Sequence, residues 1–107
     1  MKHIVYNKLV RDRIPEIIAA SGKLCDTRIL SDEEYIAMLR IKLHEEIAEY
    51  EESCELEELA DILEILHALA VAGGSTPEKL EAVRAHKANK RGGFTERIFL
   101  ISVDEED

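Results

Sequence analysis

Tryptophan is absent from the sequence, and the remaining rings are three tyrosines and two phenylalanines. A stacking platform for a nucleobase would have to come from Tyr6, Tyr35, Tyr50, Phe94 or Phe99, whose ordinary fate is packing. Cysteine is almost as scarce. Cys25 and Cys54 show no C-x-x-C spacing, and nothing at the N-terminus has the pattern of a secretory leader, so the expectation is a reduced, cytoplasmic protein. Long apolar runs are missing too. The longest, Ile65 to Ala72, is interrupted by His67 and falls far short of a membrane span. Basic residues are outnumbered, with 14 Lys and Arg against 23 Asp and Glu, a net charge of -9 and a pI near 4.9. That balance excludes a general binder of nucleic-acid polymers or anionic membranes, because phosphate surfaces attract basic ones. A nucleotide remains admissible as substrate if a metal supplies the positive charge. Repeats, low-complexity stretches and internal linkers are also lacking, and the length suits one domain spanning 1-107.

What is present reads as helix. In YNKLVRDRIPEIIAASGK, Pro15 fits a first helical turn with Ile14, Ile17 and Ile18 inward, Asp12 is a plausible N-cap, and Gly22 marks the stop. Lys23 to Leu30 form a connector. Ser31 and Glu34 then match a capping box opening a long helix from about Asp32 to Glu52. After a break at Ser53 and Cys54, a third helix runs from Glu55 to about Ala72 and is apolar around most of its circumference, so it must be covered on several sides. Gly73 and Gly74 stop it. Thr76 caps and Pro77 opens a fourth helix that ends near Arg91, and the tail FTERIFLISVDEED suits a short strand or an extended arm. The predicted fold is all-α: a bundle of about four helices, completed by dimerisation as a homodimer or a dimer of dimers, with a short extended C-terminal arm.

The stretch KLHEEIAEYEESCELEELADILEILHALA carries two acidic clusters on either side of the break. Glu45, Glu46 and Glu49 come before it, and Glu58 and Asp61 after it. Residues three or four apart share a helical face, and an antiparallel hairpin turning at Ser53 and Cys54 sets Glu46 opposite Asp61 and Glu49 opposite Glu58. In so acidic a chain such spacings also arise by chance. Position on the helix argues otherwise. Glu46 lies about 60° from the centre of the apolar stripe Ile36, Leu39, Leu43, Ile47 and Tyr50, and Glu58 projects between Ile62 and Ile65, within about 40° of each. Carboxylates brought level at the edge of a buried face repel one another unless something neutralises them. An all-oxygen set suits magnesium, or manganese. Glu64 and His67 form one Glu-x-x-His pair, but a di-iron bundle needs a second and none is present, so His67 reads as a packing residue.

The order E-E-x-x-E then E-x-x-D resembles the all-α nucleotide pyrophosphohydrolase superfamily, which includes MazG-like proteins and phosphoribosyl-ATP pyrophosphohydrolase. The opening YNKLVRDRIPEII and the closing K-x-x-x-R-G-G-F at Lys87 to Phe94 are similar to its short, phosphoribosyl-ATP pyrophosphohydrolase-like branch. The resemblance implies a magnesium-dependent enzyme that hydrolyses a nucleoside triphosphate, or a phosphoribosyl-ATP-like nucleotide, between its α and β phosphates and releases pyrophosphate. It implies metal ligation by Glu45, Glu46, Glu49, Glu58 and Asp61, with Glu45 or Glu46 also orienting and deprotonating water. Lys8, Arg11, Lys87 and Arg91 are where phosphate contacts would fall, although charge at a helix end explains Lys87 and Arg91 equally well. The alternative is a non-catalytic nucleotide-binding or dimerisation module of the same fold.

Overall fold

A computed structural model of the chain describes residues 2-106; Met1 and Asp107, the extreme ends of the expected lead-in and acidic tail, lie outside the described residues. Four helices follow in order: α1 (Ile14–Ala20), α2 (Asp32–Ser53), α3 (Leu56–Ala72) and α4 (Pro77–Arg91), and no strand forms among the described residues.

Each boundary has a local cause. α1 takes Pro15 in its first turn, and its N-cap is Arg13 with no side-chain hydrogen bond, so Asp12 does not cap it. At the start of α2 the capping box is complete: the Glu34 N–H donates to Ser31 Oγ, and the Ser31 N–H donates to Glu34 Oε1. Arg28 adds a two-pronged contact to the same carboxylate at 2.8 and 3.2 Å. α2 ends at Cys54, whose φ of 56° is left-handed, a conformation that costs an L-residue other than glycine about 1–2 kcal/mol. Glu55 then returns to extended geometry, and α3 starts at once. The short reversal folds α3 back along α2. At the far end, the Lys79 N–H donates to Thr76 Oγ1, Pro77 opens α4, and Gly92 at φ +84° ends it.

α2 packs along α3, α4 touches only α3, and α1 packs on no other helix. The buried hydrophobic residues are few: Leu39 is 4% exposed and Ile65 8%. Ile36, Leu43 and Tyr50 are half-buried as their stripe predicts, whereas Ile47 is exposed. On α3, Leu56, Leu59, Leu63 and Leu66 remain exposed. The Cα radius of gyration is 19.4 Å, against about 13 Å for a compact domain of this length. The accessible surface is 10160 Å², against roughly 6000 Å² for a folded monomer of this mass. One chain therefore buries little of its own apolar surface. Residues 92-106 form neither helix nor strand and are exposed throughout. Among the described residues no single helix is long and apolar enough to cross a membrane; α3 and α4 together have the composition but are bent by 109°.

Candidate metal centre

Glu46 lies in the middle of α2 on the side that meets α3. Its residue exposure is 6%, and its Oε2 is buried with no hydrogen-bond partner. The nearest cation on its own helix is Lys42, with Nζ 3.5 Å from Oε1, a distance that gives an ion pair and not a good hydrogen bond. A carboxylate oxygen left unpaired inside a protein costs more than any surface ion pair returns, so it marks a place where a partner belongs.

α3 brings two more acids to the same spot. One oxygen each from Glu46, Glu58 and Asp61 lies within 4.8 Å of the others. Glu58 belongs to the first turn of α3, where the positive end of the helix favours an acid. Asp61 follows one turn later and accepts a 2.6 Å hydrogen bond from Arg11 Nη2. That contact ties the segment before α1 to the hairpin.

Electrostatics sets Glu46 and Glu58 apart from ordinary surface carboxylates. Burial pushes Glu46 above the usual carboxylate range; the neighbouring Glu49 and Asp61 carboxylates push the same way, against the pull of Lys42. Glu58 is also raised, first by partial loss of solvent and then by Glu49, Asp61 and Glu55. The donor set fits a hard divalent cation. One carboxylate oxygen from each of Glu46, Glu58 and Asp61, carried on two helices, could hold such a cation.

The other expected residues are distributed as follows. Glu49 is exposed but electrically joined to both Glu46 and Glu58. Glu45 is half-buried beside Glu46 and stands outside the group of three. Arg11 is at the cluster. Lys8 points its ammonium at the Tyr6 ring, 5.9 Å from the centroid. Lys87 and Arg91 are exposed on α4, and among the described residues no ion pair joins either of them, or Lys8, to the acids. His67 is half-buried, and His44 is exposed; neither belongs to the acidic group. Lys42 was not anticipated, although its position four residues before Glu46 is the usual spacing of a helical ion pair.

No protein-family model matches the chain, and no solved structure matches it. A stretch of 42 residues is 62% identical to part of an uncharacterized protein of Mycolicibacterium smegmatis, covering 39% of this chain and 43% of that protein.

Proposed function

We propose that the chain is a magnesium-dependent nucleotide pyrophosphohydrolase of the MazG-like, phosphoribosyl-ATP pyrophosphohydrolase-like kind, with manganese as a substitute metal. The observation that carries this reading is the buried Glu46, whose Oε2 has no hydrogen-bond partner, grouped with Glu58 and Asp61 so that one carboxylate oxygen of each lies within 4.8 Å of the others. The order of acidic and basic motifs along the sequence supplies the reaction class.

In this reading Glu46, Glu58 and Asp61 hold the cation, and Glu49 completes the negative field between the helices. When bound, a divalent cation would neutralise the phosphates and, by polarising a phosphoryl oxygen, make the phosphorus more open to attack. Glu45, beside the cluster but outside it, is the carboxylate left to orient a water and take its proton. As the water oxygen bonds to phosphorus, the bridge between the α and β phosphates breaks, giving a nucleoside monophosphate and pyrophosphate. Arg11 is a phosphate contact at the rim of the cluster. Lys8, Lys87 and Arg91 are proposed to meet phosphate once a second copy is in place.

The second copy belongs to the same proposal. Leu59, Leu63 and Leu66 repeat at intervals of four and three along the exposed side of α3, the spacing of a helix–helix seam. Pairing two hairpins across it makes a four-helix bundle, as a homodimer or a dimer of dimers. Two free, exposed cysteines suit a reducing cytoplasm.

Incubation with a panel of nucleoside triphosphates and magnesium should release pyrophosphate and monophosphate in equal amounts. Release of orthophosphate alone, or no turnover across the panel, contradicts the proposal. Nucleotide binding without product would instead favour the non-catalytic module.

A further inference from the structure

The longest uninterrupted run of exposed hydrophobic residues lies in the segment after α4. Ile98, Phe99, Leu100 and Ile101 are 73–88% exposed, and Val103 follows. In an extended chain successive side chains point to opposite sides, so Phe99 and Ile101 fall on one side and Ile98 and Leu100 on the other. A segment apolar on both sides is covered on both sides when it is buried.

At the elbow between α3 and α4 is an open groove of about 630 Å³, lined by Leu69, Ala70, Gly73, Leu80 and Val83, with Lys79 at its edge. This groove is separate from the acidic cluster. We propose that it receives the segment Arg97 to Val103 of a second copy of the chain, so that two copies exchange their C-terminal arms. The inference rests on the dimer reading above and adds to it the place where each arm lies.

Three observations favour a second copy as the occupant. The first is area. The chain exposes roughly 4000 Å² more than a folded monomer of its mass. A standard interface removes only about 800 Å² per partner, so a single α3 seam of that size leaves most of the excess uncovered. The second is geometry. The segment leaves α4 at Arg91, whereas the groove flanks the opposite end of that helix at Lys79 to Val83. The segment's own chain would have to double back along α4 to reach it. A two-fold pair that also sets the α4 helices antiparallel would put the end of one α4 beside the start of the other and bring each arm to its partner's groove. Gly92 at φ +84° provides the change of direction at the base of the arm. The third is charge. The arm ends in Asp104, Glu105 and Glu106, and Lys79 at the groove has no carboxylate partner among the described residues.

Disulfide trapping between two differently substituted full-length chains tests this. In both, Cys25→Ser and Cys54→Gly remove the native thiols; glycine suits the left-handed φ at position 54. One chain then carries Val83→Cys and the other Ile101→Cys. Mixing and mild oxidation should give the mixed covalent dimer as the main product, and Leu80→Cys mixed with Phe99→Cys should do the same. If neither pair yields a mixed dimer, or if linkage forms only within a chain carrying both cysteines of a pair, the arm exchange is wrong. Sedimentation of the unmodified chain separates the two readings: a dimer without trapping removes only the arm placement, whereas a monomer removes both.

Discussion

Glu34 and Glu46 are the same residue type on the same helix, and the fold treats them in opposite ways. Glu34, in the first turn of α2, accepts from the Arg28 guanidinium and from Ser31, and its carboxyl is lowered to about 2, first by Arg28 and then by Ser31. Glu46, further along, is buried, keeps one oxygen unpaired, and is raised by burial and by its acidic neighbours. Glu34 is a finished structural contact: charge, dipole and cap agree. Glu46 is unfinished: Oε2 has no hydrogen-bond partner, and burial and the acidic neighbours disfavour its anion. The comparison separates an acid that builds the helix from one that, in the proposed reading, takes a metal ion, in a sequence where both look alike.

The largest effect should come from the unfinished side. Glu46→Ala or Asp61→Ala should reduce pyrophosphate release by more than ~100-fold, because loss even of an outer partner of a metal ligand costs 10–100-fold. Circular dichroism should show the helices retained. Next in size is Glu46→Gln, which removes the buried charge while keeping the shape. Without metal, near neutral pH, it should raise stability toward urea, because it relieves the repulsion with Glu49 and Asp61. It should also abolish any rise in melting temperature on adding magnesium. On the finished side, Ser31→Ala should destabilise by about 1 kcal/mol, the typical value of a cap, with no change in metal response.

The smallest effect is the dependence on pH, and its two halves have opposite signs. Glu46 and Glu58 are raised above their ordinary 4.5, so the stability they contribute is complete below that value and is lost as pH rises through their folded values. Glu34 is lowered, so its contribution is complete above 4.5 and is lost as pH falls through about 2. Melting temperature against pH should therefore decline from mildly acid toward neutral in chelator. Saturating magnesium should remove that decline, since a ligand bound only by the folded state stabilises it and competes with protons for the acids. Glu46→Gln should flatten the same slope without metal.

Helix boundaries were legible wherever a side chain acts on its own backbone. Ser31 with Glu34 set the start of α2, and Thr76 with Pro77 set the start of α4. The register of the hairpin was legible as well, because a short reversal leaves few ways to align two helices, and it placed Glu46 level with Asp61. The turn is less transparent. Cys54 takes a left-handed φ normally given to glycine, and only the neighbouring helices explain why it stays there. Two features lay beyond local reading. Arg11 reaches Asp61 across 50 positions of sequence, a contact that no periodicity encodes. The apolar circumference of α3 calls for cover on several sides, and within one chain Leu59, Leu63 and Leu66 remain exposed. Pattern gives the face that must be buried; it does not say whether the same chain supplies the cover.

The most direct test is calorimetric titration of manganese into the full-length protein near neutral pH, run in parallel on Glu46→Gln. The unsubstituted chain should bind with defined stoichiometry and release protons, and the variant should lose most of that affinity while remaining folded. Equal binding by both, or none by the unsubstituted chain, would contradict the claim that Glu46, Glu58 and Asp61 converge to hold a divalent cation.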